Sequence, residues 1–131
     1  MTVEAATRIY HPEKSVIGDC IIGDGCTIHA PVWIGDGVVI GNGTRVQAFA
    51  FIPPRVTIGT DCFIGPHVCF TNDKHPPSDR SEWLPTLVED GVTIGAGAII
   101  LPGITLGRCC RIAAGAVVTK NVPPGELSFG R

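Results

Sequence analysis

The sequence predicts an all-β fold, a parallel β-solenoid with three short strands per coil and one extruded loop. The first observation behind this prediction is an aliphatic residue at every sixth position, from Val16 to Ile64 and again from Val88 to Val118. The second is the set of turn-forming residues that follows most of these positions, as in IGDGCT, IGNGTR and IGAGAI. The third is the polar stretch FTNDKHPPSDRSEWLPTL, in which the period disappears. A chain that bends sharply at every repeat builds stacked coils, so this stretch is predicted to leave the stack as a loop.

Length and composition indicate one globular domain, residues 1–131. The chain is 44% hydrophobic, which together with the strict period argues against disorder despite 17 Gly and 11 Pro. A net charge of −2 gives no reason to expect nucleic acid or a membrane surface as a partner. No apolar run approaches the roughly 20 residues of a membrane span, and the N-terminal residues lack a signal peptide's apolar core. We therefore expect a cytoplasmic protein.

Each repeat unit is predicted to form one short strand followed by one corner. Because side chains alternate along a strand, the aliphatic residue and the small residue two positions before it point inward, and the residue between them points outward. Gly, Asn or Asp at the corner tolerates the positive φ of a tight bend. We expect three coils from Val16 to Cys69 and two more from Val88 to Pro123. The gap from Phe70 to Val88 equals one coil, so the polar stretch could also continue the stack in part.

Residues separated by three repeats are predicted to stack on the same outer face of the solenoid. Trp33, Phe51 and Cys69 form one such column, and Ile21 with Val39 begins another. Large apolar groups that point outward on a soluble solenoid usually mark a partner surface. We therefore expect self-association that closes as a ring.

The six cysteines are expected to be reduced and structural. Cys69 and the adjacent Cys109–Cys110 pair show no metal-binding spacing such as Cys-x-x-Cys. Four cysteines occupy the small inward-facing slot of their repeat: Cys20, Cys26, Cys62 and Cys110. The cysteines therefore predict neither a metal site nor a disulfide.

The repeats of the form I-G-x-x-x-x, the single loop and the terminal run ITLGRCCRIAAGAVVTKNVPPGE resemble the left-handed β-helix acyltransferases. The resemblance covers about residues 9 to 126. It implies a left-handed coil, a homotrimer with active sites between neighbouring prisms, and acetyl-CoA as the acyl donor. The run FIPPRVTIGTDCFIGPHVCFTNDKHPPSDR most closely resembles the branch that acetylates amino groups on nucleotide-linked deoxysugars.

The loop at residues 71–87 carries the candidate catalytic residues His75, Asn72 and Asp73. His75-Pro76 resembles the His-Pro of the galactoside, maltose and serine O-acetyltransferases, in which that His is the general base. A His can take the proton of a hydroxyl acceptor, whereas an amine, once deprotonated, needs far less help. Asn72 and Asp73 could instead orient a sugar amine, or cap the turn at the start of the loop.

Two corners built of small residues form the expected acetyl-CoA site. Their backbone N–H and C=O groups would be accessible to the two amides of an extended pantetheine arm. Lys120 and Arg131 belong to a local excess of positive charge after residue 100, which suits the phosphates of CoA. The corners lie one predicted coil apart and consist of Gly95, Ala96, Gly97 and Ala98, and of Ala113, Ala114, Gly115 and Ala116.

The leading interpretation is an acetyl-CoA-dependent acyltransferase that acetylates the amino group of a nucleotide-linked amino sugar, with His67, Asn72 and Asp73 contacting the acceptor. One alternative is O-acetylation of a sugar or small hydroxyl acceptor with His75 as general base. Another is a non-catalytic solenoid that serves as an assembly subunit. A γ-type carbonic anhydrase shares this fold but needs three converging His, and the spacing of His67 and His75 offers no third partner. We expect no metal.

Overall fold

The computed structural model describes residues 1–131 as a solenoid of short parallel strands with almost no helix. Its two helical segments are the single 3-10 turns Pro12–Lys14 and Arg80–Glu82, so no helix is long enough to cross a membrane. The strands are β1 Thr2–Val3, β2 Arg8–Ile9, β3 Val16–Ile17, β4 Ile21–Ile22, β5 Thr27–Ile28, β6 Trp33–Ile34, β7 Val39–Ile40, β8 Arg45–Val46, β9 Phe51–Ile52, β10 Val56–Ile58, β11 Phe63–Ile64, β12 Cys69–Phe70, β13 Thr86–Val88, β14 Thr93–Ile94, β15 Ile99–Ile100, β16 Thr105–Leu106, β17 Arg111–Ile112, β18 Val117–Val118 and β19 Leu127–Ser128.

Three parallel sheets form the three faces of the prism. Face A contains β1, β4, β7, β10, β13 and β16; face B contains β2, β5, β8, β11, β14, β17 and β19; and face C contains β3, β6, β9, β12, β15 and β18. The chain passes from face A to face B to face C and back, so the three edges of the prism are here called the AB, BC and CA corners.

The interior is filled by the aliphatic residues of the repeat. Ile22, Ile40, Ile58, Val88 and Leu106 stack in register along face A, and each is at most 1% exposed. Burying an aliphatic side chain of this size contributes about 1.5–3 kcal/mol. The predicted alternation of inward and outward residues is therefore confirmed.

Residues 71–85 of the polar stretch leave the stack as a loop. Ile40 pairs with Ile58, three repeats later, whereas Ile58 pairs with Val88, five repeats later. A segment as long as two repeats is therefore inserted between β12 and β13, and it adds no coil to the stack. Because β13 begins at Thr86, the loop comprises residues 71–85, and the predicted end at residue 87 is too late.

The coil extends further at both ends than the period predicted. β1 already pairs with β4, and β19 pairs with β17, which makes six complete coils and one strand of a seventh. The repeat period did not predict the first coil because its spacing is irregular. The separation between the paired residues Thr2 and Ile21 is one position longer than in a regular coil, and that between Val16 and Trp33 is one position shorter. The predicted inward position of Val16 is consequently wrong. Val16 is 58% exposed, and Ile17 stacks under Ile34 in its place.

The outer columns and the cysteines lie where the period placed them. Trp33 and Phe51 stack on face C with ring centroids 4.9 Å apart, and Cys69 pairs with Phe51 in the next coil. All six cysteines are free thiols, and Cys20, Cys26, Cys62 and Cys110 are buried. Burial raises the pKa of the Cys110 thiol to about 11, as expected for a structural cysteine.

Candidate functional site

The two small-residue corners stack on each other at the BC corner, as predicted. The N–H of Gly115 donates to the carbonyl of Ala96 at 2.8 Å, which holds the two corners one coil apart. Gly97 and Gly115 both have φ near +70°, and a Cβ placed on either would meet nothing within 4 Å. The corner is therefore an open surface bounded by backbone rather than by side chains.

Two backbone N–H groups on this surface have no acceptor in the protein. They belong to Ala96 and Ala114, which occupy the same position in successive coils. On the neighbouring AB corner, the N–H of Asp24 donates to Asn42 Oδ1 and that of Thr60 to Asp90 Oδ1, both at 2.8 Å. Ala114 has no side-chain oxygen to accept from the N–H of Ala96, so both donors of the BC corner, like the N–H groups of Asn42 and Asp90 on the AB corner, stay available to a ligand.

His67 lies on this same BC corner and not at the loop. It has a left-handed backbone conformation, with φ 60°, in the position that Gly97 occupies in the next coil. Its ring stacks on Phe49 of the preceding coil at 4.8 Å, nearly parallel. Asn72 and Asp73 lie in the loop at the CA corner, so within one chain His67 lies on a different edge and borders the expected acetyl-CoA groove. Its contact with the acceptor stays a prediction.

Asn72 closes the neck of the loop at the CA corner. Its Nδ2 donates to the carbonyl of Pro54 at 2.9 Å, and its own carbonyl accepts from the N–H of Leu84 at 2.8 Å. The N–H of Thr86 donates to the carbonyl of Arg55 at 2.9 Å. One N–H of the Asn72 side chain thus ties the start of the loop to the coil beneath, and the backbone hydrogen bond of Thr86 ties its end.

Asp73 organises the first turn of the loop. Its Oδ2 accepts from the N–H of Ser78 at 2.7 Å, and its Oδ1 accepts from the N–H of His75 at 3.3 Å. Desolvation raises the pKa of the Asp73 carboxyl, but the hydrogen bonds from Ser78 and His75 outweigh it, so the pKa lies below its usual value. This geometry matches the turn-capping alternative for Asp73.

His75 is exposed near the tip of the loop, and its ring makes no hydrogen bond within the protein. Its carbonyl accepts from Ser78 Oγ at 2.7 Å, which fixes the backbone that carries the ring. The backbone of His75 is therefore fixed while its imidazole ring stays free, as is required of a group that accepts a proton from a bound molecule.

The loop and the open corner lie on different edges of the prism. The loop leaves at the CA corner and the uncapped donors lie at the BC corner, with the whole of face C between them. Lys120 follows β18 at the CA corner and lines a cleft of about 520 Å³ at the C-terminal end of the coil. Arg131 lies at the BC corner, where its N–H donates to the carbonyl of Val117. The predicted positive charges thus do not gather on one edge.

A second cleft, which the sequence analysis did not single out, opens at the foot of the loop. It has a volume of about 380 Å³, and Arg80 and Trp83 from the loop line it together with Arg55 from the coil. The Arg80 guanidinium lies over the Trp83 ring, 5.3 Å from its centroid. The signal in the sequence was Pro-Pro-Arg at residues 53–55, where the preceding coil has Gly-Asp-Gly.

No three His, Cys, Asp or Glu side chains come together in an arrangement that could hold a metal ion.

Comparison with known proteins identifies the repeat. The sequence matches the family described as bacterial transferase hexapeptide (six repeats) over residues 18–48, 31–72 and 85–120. The 2,3,4,5-tetrahydropyridine-2,6-dicarboxylate N-acetyltransferase of Halalkalibacterium halodurans is 40% identical over 118 residues, covering 81% of this chain and 48% of that protein. The galactoside O-acetyltransferase of Lactococcus lactis is 34% identical over 124 residues, covering 83% of this chain and 58% of that protein. The chain therefore spans about half the length of these relatives.

The fold also matches a solved structure. A mutant of GDP-perosamine N-acetyltransferase from Caulobacter crescentus, solved with CoA and GDP-perosamine, superposes with a TM-score of 0.76 at 23% identity. The match covers 97% of this chain and 53% of that one. At this identity the likeness concerns the fold alone, which is the left-handed parallel β-helix.

Proposed function

The chain belongs to the bacterial transferase hexapeptide family, and we propose that it is an acetyltransferase that takes its acetyl group from acetyl-CoA. The observation that carries this proposal is the pair of uncapped N–H groups of Ala96 and Ala114 on the open BC corner. They lie one coil apart, about 4.8 Å. A pantetheine arm laid along the corner would offer amide carbonyls to these donors without displacing any side chain.

In the proposed reaction, the lone pair of the acceptor attacks the thioester carbonyl and the C–S bond breaks. The acetyl group forms an amide or ester with the acceptor, and CoA leaves as its thiolate. The proton lost by the acceptor goes to a side chain within hydrogen-bond reach or to water, and the same group then protonates the thiolate to give the thiol. Among the loop residues, the free imidazole of His75 is the group suited to receive this proton.

For the acceptor, we propose the amino group of a nucleotide-linked amino sugar. The loop's opening Phe-Thr-Asn and the run before it resemble the enzymes with that substrate class. The GDP-perosamine N-acetyltransferase shares the whole length of the present fold. Asn72 would then act by fixing the loop neck, since its Nδ2 is bonded to the carbonyl of Pro54.

A second candidate is O-acetylation of a sugar, and three observations favour it. The ring of His75 is exposed and makes no hydrogen bond within the protein, and His75-Pro76 resembles the His-Pro of the O-acetyltransferases. The galactoside O-acetyltransferase of Lactococcus lactis is similar over 83% of this chain. In this case His75 is the general base for a hydroxyl.

We further propose that the working unit is a homotrimer. The loop and the BC corner are separated by face C within one chain, so a second chain is needed to bring a loop and a corner together. The exposed apolar column on face C supports this arrangement, because Trp33 is 37% and Phe51 38% exposed in the isolated chain.

The activity is tested by following the loss of thioester absorbance of acetyl-CoA with a panel of amino sugars, nucleotide-linked amino sugars and galactosides. Absorbance is preferable to a thiol reagent because Cys109 is exposed and would react with it. Acetyl-CoA should also stabilise the fold, by about 2.7 kcal/mol at a hundredfold excess over its dissociation constant. If acetyl-CoA is neither turned over nor stabilises the fold, the assembly subunit becomes the better interpretation.

His75→Asn separates the two acceptor classes. If the acceptor is a hydroxyl, the rate should fall by about 10²–10⁴, the loss expected when a general base is removed. If it is an amine, the loss should be roughly tenfold or less, because a neutral amine attacks without a base. His11→Asn is the matched control, since His11 is exposed at the opposite end of the coil.

A further inference from the structure

We propose that the cleft at the foot of the loop binds a nucleoside diphosphate, with Arg55 and Arg80 holding the phosphates and Trp83 supporting the base. This inference rests on the proposed function in that it assigns the nucleotide half of the acceptor to specific residues. Two sources share this chemistry, a nucleotide-linked acceptor and the phosphate end of CoA, and the experiment below distinguishes them.

The backbone of Arg55 is the first observation behind this proposal. Arg55 has φ +79°, a left-handed conformation that costs a residue with a Cβ about 1 kcal/mol or more. The same position holds Gly37 in the preceding coil and Gly103 two coils later, each also with φ +79°. Glycine would satisfy this corner without strain, so an arginine here indicates a use for its side chain.

The loop reinforces this position from both sides. Asn72 Nδ2 donates to the carbonyl of Pro54, and the N–H of Thr86 donates to the carbonyl of Arg55. The peptide groups on either side of the strained residue are thus fixed by the two ends of the loop. The loop that carries Arg80 and Trp83 therefore also holds Arg55 in place at the edge of the same cleft.

The charges in the cleft are arranged for an anion. Neither Arg55 nor Arg80 forms an ion pair with any carboxylate of the chain. One acid, Asp36, lines the cleft, and its Oδ1 already accepts from the N–H of Asp19 at 2.7 Å. Two unpaired guanidinium groups beside one engaged carboxylate favour a phosphate or diphosphate, which arginine binds with paired hydrogen bonds.

An aromatic ring beside the arginines distinguishes this cleft from a simple phosphate site. Trp83 is half-buried, and the Arg80 guanidinium lies 5.3 Å from its ring centroid. A base can stack on an indole or on a guanidinium plane. The cleft volume of about 380 Å³ falls within the range of sites that take a small molecule.

The test measures binding of UDP, GDP, CoA and inorganic pyrophosphate to the full chain by calorimetry. UDP or GDP should bind the wild-type protein, and Arg80→Gln and Arg55→Gly should each weaken that binding by about tenfold to a hundredfold. Arg55→Gly also removes the backbone strain, so the protein should stay folded. Arg45→Gln is the matched control, because Arg45 is exposed on face B and should leave binding within about twofold of wild type.

The role of Trp83 and the source of the nucleotide have their own readouts. Trp83→Leu should weaken UDP or GDP but leave pyrophosphate unchanged, because pyrophosphate has no base to stack. If the binding of CoA depends on Arg80 and the binding of UDP or GDP does not, the phosphate site is supported and belongs to the acetyl donor. The inference is overturned if no nucleotide binds at millimolar concentration, or if the Arg55 and Arg80 variants behave like Arg45→Gln.

Failure of this inference is distinguishable from failure of the proposed function. Acetyl transfer to a free amino sugar that persists in Arg80→Gln, with no nucleotide binding, would remove the nucleotide site and leave the acetyltransferase intact. Nucleotide binding that depends on Arg55 and Arg80, without any binding or cleavage of acetyl-CoA, would leave the nucleotide site intact and remove the acetyltransferase proposal.

Discussion

Replacing Ala114 with proline tests whether the uncapped N–H groups of the BC corner bind acetyl-CoA. Proline has no N–H, so the substitution removes one donor from the corner. Because the N–H of Ala114 has no acceptor in the protein, no internal hydrogen bond is lost. The ring also has room: Pro54 lies over Gly35 in the corresponding position of the CA corner, and Gly95 lies under Ala114 in the same way.

The expected magnitude follows from these contacts. A neutral hydrogen bond contributes about 0.5–1.5 kcal/mol, so acetyl-CoA should bind about two- to twelvefold more weakly to Ala114→Pro. The fold itself should not be destabilised, because Pro66 already occupies the equivalent position of this corner and proline reduces the freedom of the unfolded chain. Affinity and stability should therefore change independently.

Calorimetric titration with acetyl-CoA and a thermal melt of each variant give the two quantities. Ala114→Val is the matched control, since valine adds bulk at the same position but keeps the N–H. Weaker binding in Ala114→Pro than in Ala114→Val, at equal melting temperature, is the expected result. Equal affinities in the two variants would refute the reasoning, because bulk rather than the missing donor would then explain any loss.

Two further predictions concern the assembly and the loop. Phe51→Glu should place a charge in the face C column and yield monomers in sedimentation, whereas Thr93→Glu on the exposed part of face B should not; an unchanged oligomer would exclude this column as the interface. The pKa of Asp73 is depressed below 3.8, so its contribution to loop order is fully present above that pH and is lost as the pH falls through the folded-state value. Cleavage within the loop by pepsin, which is active in acid, should therefore accelerate for the wild type as the pH falls, and the same acid response in Asp73→Asn would contradict this assignment.

The regular part of the fold was predictable because one physical rule repeats. Inward aliphatic residues at every repeat fix the strand, the corner and the register between coils together, so the stacking of Trp33 on Phe51 followed from counting. The rule failed where the spacing between inward residues departs from six. Across the 3-10 turn Pro12–Lys14 the pairing changes from one position longer than a regular coil to one position shorter, and Val16, which fits the period in the sequence, points outward.

The site was predictable only in its backbone parts. Small residues at Gly95–Ala98 and 113–116 indicate an open corner from sequence alone, and the structure adds that Ala96 and Ala114 keep free N–H groups. The position of the loop relative to that corner depends on whether the stretch from Phe70 to Val88 leaves the stack or adds a coil. The gap equals one coil, so the period fits both arrangements.

The loop illustrates why a residue in a recognisable motif need not do the chemistry that the motif implies. Asn72 stands close to the candidate base His75 in sequence, yet its amide is bonded to Pro54 and helps to fix the strained backbone of Arg55. Loss of activity on changing Asn72 would therefore not by itself mark it as a group that touches the acceptor. A side chain that positions Arg55 should affect acceptor affinity, whereas one that assists proton transfer should affect the turnover rate. From its hydrogen bond to Pro54 we expect changes of Asn72 to have the first kind of effect.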